Sequence, residues 1–319
     1  MGRTEGLSDA PARSPAIHFT LAFTIAQVTD QLVNGITLGM LYILVALGLN
    51  IILGLMGVIN FSHGAFFMLG AYLMYQFNGT FARLPGGGFW WAIVASALVV
   101  GLLGMVFEST LVRPLYRRIP EYTLLLTFGT AMIFAQFVRW VWGDDAVRVD
   151  TPAYIPESIN VGGLAFPFYK DFFLVLLTIG ILAGVWLLLN KTNIGIIIRA
   201  GTRDAEMVKI LGINMPLMFT IVFGLGSLMA GLAGALAAPI YAIQPSLASQ
   251  WIVLTFVIVI VGGIGSFWGA IVGGLLIGIL SSLMALLFPP AVDVTAYILM
   301  GIILLVRPRG LFGVEGLFE

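Results

Sequence analysis

The polar residues that could bind a solute or a partner lie mainly in two stretches of an otherwise apolar chain. Asn60, Ser62 and His63 stand between two apolar segments, and a longer polar stretch covers residues 191–216. The chain has two histidines far apart in sequence and no cysteine, which excludes disulfides and thiolate nucleophiles or metal ligands. It contains no Gly-x-x-x-x-Gly-Lys-Ser/Thr phosphate loop, no Gly-x-Ser-x-Gly elbow and no His-Glu-x-x-His motif. We therefore predict no enzyme active site, no metal site and no cofactor.

The composition of the chain requires lipid as its solvent. Hydrophobic residues make up 60% of the chain and charged residues 9%, with a mean hydropathy of +1.06. A soluble domain has about 25% charged residues. Lys and Arg together number 15, as do Asp and Glu, so no positive excess points to nucleic acid. We predict an all-α, polytopic membrane helix bundle that lies in a lipid bilayer and has no nucleic-acid partner.

Nine apolar segments approach the length of about 20 residues that a membrane-spanning helix needs. They are residues 31–54, 61–78, 89–110, 122–142, 171–190, 217–238, 251–267, 269–288 and 292–306. Uncertain boundaries extend the prediction to about eight to ten segments. The joints at 54–65 and 262–270 are rich in glycine and polar residues, which predicts broken helices. Each joint has a glycine, six residues and Gly-Ala, which fits either an internal repeat or chance similarity.

The distribution of basic residues predicts the orientation in the membrane. Residues 111–121, residues 191–216 and the tail after residue 306 hold nine of the 15 basic residues. Counting alternating spans places these regions on one side, which the positive-inside rule assigns to the cytoplasm. The loop 143–170 is then periplasmic and the N-terminus outside, although an extra span within the tail would reverse the N-terminus. We predict a tail over 1–30, which could lie on the bilayer surface, and a transmembrane domain over 31–313.

The polar stretch 191–216 is predicted to contain a short helix over residues 202–212. Thr202 suits the N-cap, Asp204 and Glu206 suit the positive end of the helix dipole, and Gly212 suits the C-terminal stop. The apolar residues on one arc of this helix are Met207, Val208, Ile210 and Leu211. A helix of two to three turns is too short to be stable alone in water. It must pack on the spans, the membrane surface or another subunit, and the pattern alone also allows a bridging interfacial helix.

The polar residues within the apolar segments have two interpretations each. Asn60, Ser62 and His63 could line a path for a solute, or they could cap the ends of broken helices. Gln244 could bind a zwitterionic solute, or it could form a hydrogen bond between helices. Glu108 is expected to pair with Arg113 or to reach the interface.

Four blocks of the sequence resemble the permeases of high-affinity branched-chain amino-acid ABC importers, of the LivH type. The blocks are Gln31–Gly39 with Gly57–Gly64, Gly195–Asn214, Phe223–Pro239 with Ala230-Gly231-Leu232-Ala233-Gly234, and Gly262–Gly274 with Arg307-Pro308-Arg309-Gly310-Leu311-Phe312-Gly313. The resemblance covers about residues 30–313, and the combination of blocks is specific. The tail before residue 27 differs from the family.

The resemblance implies a permease subunit that translocates branched-chain or related amino acids across the bacterial inner membrane. It implies four kinds of partner: the lipid bilayer, a second LivM-like permease subunit, two cytoplasmic ATPase subunits and a periplasmic amino-acid-binding protein. The residues it implies in ATPase coupling are Arg199, Thr202, Asp204, Ala205, Glu206, Leu211 and Gly212. The alternative from the residues alone is a stand-alone secondary transporter or channel for a small polar solute. The choice among leucine, isoleucine, valine, urea, amides and organic acids stays open.

Overall fold

The computed structural model describes residues 24–84, 88–116 and 118–313, except for the side chains of residues 161, 202, 203 and 205. The described part consists of eleven α-helices, a few π- and 3₁₀-helical turns and one β-hairpin. The helices are α1 (Ile25–Met56), α2 (His63–Thr80), α3 (Phe89–Phe107), α4 (Pro120–Trp142), α5 (Leu174–Lys191), α6 (Asn193–Arg203), α7 (Ala205–Ile210), α8 (Met215–Ala237), α9 (Leu247–Gly262), α10 (Phe267–Leu287) and α11 (Val292–Val306).

The predicted all-α membrane bundle is confirmed. Seven helices of the described part are long and apolar enough to cross a membrane: α1, α3, α4, α5, α8, α10 and α11, counted with their continuous helical turns. The 18-residue α2 and the 16-residue α9 complete the nine predicted segments. Helix α1 begins at Ile25, six residues before the predicted start, because Thr24 and Gln27 form a capping box there. Residues 1–23 of the predicted tail lie outside the described residues.

Helix α1 forms the centre of the bundle. Its most apolar 18-residue window is 83% buried, against 17% for α4 and 11% for α5 and for α11. Glycine allows its close contact with α10: a Cβ atom added to Gly278 would lie 2.5 Å from the Gly39 nitrogen. Small residues serve this purpose in membranes, where close backbone packing drives helix association. The outer faces of α4, α5 and α11 are left for lipid or for another subunit.

The loops lie at two opposite ends of the bundle. Leu311 N donates to Val261 O at 2.9 Å, which joins the C-terminal tail to the end of α9. The end of α1 packs on α6 and on the joint after α9, and the segment after α3 contacts the start of α8. The three basic regions therefore share one end, which we call the basic end. At the other end, Val147 in the 143–170 loop exchanges two backbone hydrogen bonds with Ile243, at 3.0 and 2.8 Å.

A β-hairpin in the 143–170 loop was not among the predicted elements. Strand β1 (Ser158–Val161) pairs antiparallel with β2 (Leu164–Pro167). Gly162 and Gly163 join the strands with φ values of 62° and 88°. Two consecutive positive φ values define the tight turn that favours Gly-Gly between strands. The Gly-Gly pair was therefore the available signal in the sequence.

Both predicted breaks between helices are present. Chain reversal after α1 begins at Gly57, with φ 63°, and α2 starts at His63. The Nε2 atom of His63 lies 3.0 Å from the carbonyl oxygen of Val45. Val45 precedes the end of α1 by eleven residues, or about 16 Å at 1.5 Å per residue. Residues 57–62 thus turn back into the bundle, and we call them the re-entrant segment. The second break lies between α9 and α10 at residues 263–266.

Candidate functional site

The stretch predicted to couple to an ATPase folds as two helices at the basic end, α6 and α7. Asp204 separates them with an extended φ of −155°, and its Oδ1 accepts a hydrogen bond from Met207 N at 2.8 Å. The prediction of one helix over 202–212 with Thr202 as its N-cap was therefore wrong. Thr202 lies within the backbone of α6, and Asp204 caps α7 because aspartate is an N-cap as strong as threonine or stronger. The side chains of Thr202 and Ala205 lie outside the described part, and Glu206 is exposed.

Helix α7 presents an apolar surface to the exterior. Met207, Ile210 and Leu211 are 53%, 77% and 73% exposed, whereas Val208 is 3% exposed and anchors the helix. Gly212 follows with φ 85°, which confirms the predicted glycine stop. A six-residue helix is not stable in isolation, and contiguous exposed apolar residues mark a surface that another molecule covers.

Arg199 lies at the corner between α5 and α6 rather than on α7. Its Nη1 atom donates hydrogen bonds to the carbonyl oxygen of Leu189 and, at 3.3 Å, to Oδ1 of Asn190. These contacts satisfy carbonyl groups at the C-terminus of α5, where positive charge is favourable. The side chain also lines a cavity of about 230 Å³ among α1, α5, α6 and the second break.

The re-entrant segment is held by Thr127 of α4. The Oγ1 atom of Thr127 accepts from Phe61 N at 3.2 Å, and its carbonyl oxygen accepts from Ser62 Oγ at 2.7 Å. Non-helical backbone at membrane depth needs such partners because no water is present to supply them. Ser62 therefore ties the start of α2 to α4, and its side chain does not cap α2. The Oδ1 atom of Asn60 accepts from Ser62 N at 3.0 Å, which stabilises the turn before α2 rather than capping the helix.

Asn60 and His63 leave two buried polar atoms without a hydrogen-bond partner. Both residues have no exposed surface. Since the Val45 carbonyl can only accept, the Nε2 atom of His63 carries the proton and Nδ1 is an acceptor. The unpaired atoms are this Nδ1 and Nδ2 of Asn60, an acceptor and a donor three residues apart. Both atoms are buried within the bundle, at or just before the start of α2.

Gln244, the fourth residue predicted on a translocation path, lies at the opposite end of the bundle. It follows Ile243, which pairs with Val147, and its carbonyl oxygen accepts from Leu247 N at 3.1 Å. Its side chain is half-buried. The structure therefore brings Asn60, Ser62 and His63 together but does not bring Gln244 to them.

Asn50 of α1 is a buried polar residue that the sequence interpretation missed. It is 2% exposed and clamps the second break: Nδ2 donates to Ser266 O at 2.7 Å, and Oδ1 accepts from Gly265 N at 2.6 Å. One amide side chain thus satisfies two backbone groups where α9 and α10 separate. The signal was an amide residue within an apolar span, which marks a hydrogen bond between membrane segments.

These features define a multi-pass helical membrane protein. Its polar interior groups, Asn50, Asn60, Ser62 and His63, hold helix breaks or face the bundle interior. Within the described ranges, no group of three or more His, Cys, Asp or Glu side chains could hold a metal ion.

Comparison with known proteins then places the chain in a family. It belongs to the permease components of branched-chain amino acid transport systems, whose family pattern matches residues 31–307. The high-affinity branched-chain amino acid transport system permease protein BraD of Pseudomonas aeruginosa is 30% identical over 295 residues, which is 89% of this chain and 95% of the relative. The corresponding protein LivH of Escherichia coli is 28% identical over 295 residues, with the same coverage. The chain is thus a transport component and not an enzyme.

A shorter match relates the chain to a second type of permease. The high-affinity branched-chain amino acid transport system permease protein LivM of Escherichia coli is 31% identical over 103 residues, which is 32% of this chain and 21% of the relative. No solved structure matches the chain significantly.

Proposed function

We propose that this chain is the membrane-spanning subunit of an ATP-binding-cassette importer that translocates branched-chain or related amino acids across the bacterial inner membrane. The family match over 31–307 and the named functions of BraD and LivH support the substrate class. Because the chain has no phosphate loop, ATP hydrolysis is assigned to partner subunits.

The observation that carries the proposal is α7. It is a short helix, capped by Asp204 and stopped by Gly212, and it stands at the basic end with an apolar exposed surface. Only the turn at residues 211–214 separates it from α8, a helix buried deep in the bundle. A rigid helix in this position can dock on a cytoplasmic ATPase subunit and pass a rigid-body movement to the spans.

Three kinds of protein partner complete the proposed importer. A second, LivM-like permease subunit is supported by the partial similarity to LivM and by the outer faces of α4, α5 and α11, which this chain does not cover. Two ATPase subunits would bind at the basic end. A periplasmic amino-acid-binding protein would deliver the solute at the opposite end.

The residues proposed to act on the solute are Asn60, Ser62, His63 and Gln244. The unpaired donor of Asn60 suits a carboxylate, and the unpaired acceptor of His63 suits an ammonium group, so the pair matches both ends of an amino acid. Ser62 would hold the start of α2, and with it Asn60 and His63, against α4. Gln244 would meet the solute at the periplasmic end.

The test uses Gly212→Val and Asp204→Lys in cells that express the complete importer. Gly212→Val forces a β-branched residue to φ 85°, at a cost of roughly 1–2 kcal/mol. Asp204→Lys removes the α7 cap and reverses its charge, at a cost of about 0.5–2 kcal/mol for the cap. Both changes lie outside the spans, so we expect normal membrane insertion, weaker ATPase copurification and slower amino-acid uptake.

Gly162→Val is the matched control for ATPase binding. Gly162 also has positive φ and open space around it, but it lies in the hairpin at the opposite end. This variant should copurify with the ATPase as the unmodified chain does. If both α7 variants insert, bind the ATPase and transport normally, α7 is only a bridge between α6 and α8, and the coupling proposal is wrong.

A further inference from the structure

Glu108 is a carboxylate without exposed surface at the basic end, directly after α3. Its Oε2 accepts from Arg113 Nη2 at 3.1 Å and from Thr220 Oγ1 at 2.6 Å. Its Oε1 accepts from the Tyr116 hydroxyl at 2.6 Å and from Arg113 Nε at 3.4 Å. The expected pairing with Arg113 is present, and it belongs to a larger set that we call the Glu108 cluster: Glu108, Arg113, Tyr116 and Thr220.

An irregular turn of helix makes this cluster possible. Residues 108–112 form a π-helical turn, and residues 113–115 continue as a 3₁₀ turn. In a regular α-helix, residues five apart point about 140° away from each other. The π turn, with its i to i+5 hydrogen bonds, brings Glu108 and Arg113 to the same side. The π turn thus places both members of the ion pair where they can contact the start of α8.

The cluster contacts the first two turns of α8. Thr220 bonds to Glu108 and also accepts from Arg113, whose Nη2 additionally donates to the Pro216 carbonyl at 3.4 Å. The ring of Tyr116 meets that of Phe219 edge to face, with centroids 5.4 Å apart. The start of α8 follows α7 after only residues 211–214. A displacement of α7 would therefore also displace the α8 residues that the cluster contacts.

The cluster also borders a cavity next to the re-entrant segment. Tyr116 lines a cavity of about 310 Å³ together with Gly57 and Ile59 of that segment and the first residues of α4. Burial is the main reason, and the hydrogen bond to Glu108 the second, that the pKa of the Tyr116 hydroxyl lies above its ordinary value. The hydroxyl therefore stays protonated and donates its hydrogen bond. Further along, α3 and α8 pack closely: a Cβ atom added to Gly101 would lie 3.0 Å from Leu228 Cβ. The two helices are thus joined along their length.

We propose that Glu108 is a positioning residue that locks the end of α3 to the first two turns of α8, so that movement of α7 is passed to both helices. The inference rests on the proposed function, because it takes α7 as the contact with the ATPase. Well-packed apolar groups often replace a buried ion pair without loss of stability. A role in transmission accounts for a cluster that joins three elements at this point.

The test measures amino-acid uptake per ATP hydrolysed in proteoliposomes that contain the complete importer. The variants are Glu108→Gln, which keeps the size of the side chain, and Thr220→Val, which keeps its shape. Glu157→Gln, exposed at the opposite end, is the matched control. We expect both cluster variants to insert and to bind the ATPase, while uptake per ATP falls about fivefold or more, the lower range of typical coupling. The solute concentration for half-maximal uptake should stay unchanged. A general loss of folding would lower uptake and ATP hydrolysis together and would leave uptake per ATP unchanged.

The outcomes separate this inference from the proposed function. If the unmodified chain never copurifies with an ATPase, the proposed function itself fails. If the ATPase binds but both cluster variants keep the uptake per ATP of Glu157→Gln, Glu108 is not a positioning residue. If Glu108→Gln fails to insert, Tyr116→Phe is tested in its place. This variant removes only the hydroxyl that donates to Glu108, so it changes the cluster less. It is expected to lower uptake per ATP, and an unchanged ratio would overturn the inference.

Discussion

Removal of the Asn50 amide should destabilise the bundle more than any other single amide on α1. Asn50→Ala would leave Gly265 N and Ser266 O without their present partner inside the protein. Each buried backbone group left unpaired costs about 1–3 kcal/mol, so the two together cost about 2–6 kcal/mol. The assay is unfolding of the purified subunit in detergent micelles by sodium dodecyl sulfate, followed by tryptophan fluorescence.

Two further variants make this measurement specific. Asn50→Leu keeps the side-chain shape, so its loss of unfolding free energy should match Asn50→Ala if hydrogen bonds and not packing are responsible. Asn34→Ala is the control on the same helix, because Asn34 makes a single side-chain bond, to Ser282 Oγ at 3.2 Å. Such a bond between membrane helices is worth about 0.6 kcal/mol. Equal losses for Asn50→Ala and Asn34→Ala would refute the reasoning that Asn50 holds the second break.

Two other predictions concern topology and packing. A cysteine at position 150 should react with an impermeant reagent in intact cells, whereas one at position 209 should react only after the membrane is broken; the native chain has no cysteine to interfere. The opposite pattern would invert the orientation given by the basic residues. Gly278→Ala would place a Cβ atom 2.5 Å from the Gly39 nitrogen, and overpacking of this kind costs about 1–3 kcal/mol in unfolding assays. Gly301→Ala on α11 meets no atom within 4 Å and should be neutral; equal losses for the two would contradict the close α1–α10 contact.

The membrane segments and their breaks could be predicted from the sequence because lipid leaves the backbone few choices. Apolar stretches of about 20 residues must be helical to satisfy their own backbone groups. The glycines at positions 57, 263 and 265 have positive φ, so the glycine-rich joints did mark chain reversals. What the joints could not show was depth. That the His63 side chain, at the start of α2, reaches Val45 about 16 Å before the end of α1 depends on a contact between two different helices.

Parts of the candidate site could be predicted, and the reasons for failure are local. The helix stop at Gly212 followed from glycine conformation, and the pairing of Glu108 with Arg113 followed from charge. The N-cap was misplaced because Thr202 and Asp204 are both suitable residues, and only the extended backbone at Asp204 decides between them. The partners of Asn50 and Thr127, and the Thr220 partner of Glu108, lie on segments distant in sequence. The sequence alone gives no means of choosing them.

Close contacts between helices are unevenly distributed: α1, α8 and α10 form a densely packed, rigid part of the bundle, and the outer helices are packed more loosely. Helices α1, α8 and α10 meet through glycines such as Gly48, Gly226 and Gly278, whose added Cβ atoms would collide with backbone of the neighbouring helix. Contacts this close leave no room for sliding, since dense packing transmits strain rather than absorbing it. On the outer helices, by contrast, the glycines Gly129, Gly180, Gly184 and Gly301 meet nothing within 4 Å.

The position of α7 has a consequence for transport. Because α7 leads into α8, which belongs to the rigid part, a force on α7 displaces α1, α8 and α10 together instead of bending one helix. The change in access that transport needs must then occur where contacts are sparse, at the faces of α4, α5 and α11 or against a partner subunit. The bonds of Thr127 to the re-entrant segment join the sparsely packed α4 to the rest of the bundle. They lie beside Asn60 and His63, so relative movement of α4 would open the bundle next to its unpaired polar groups.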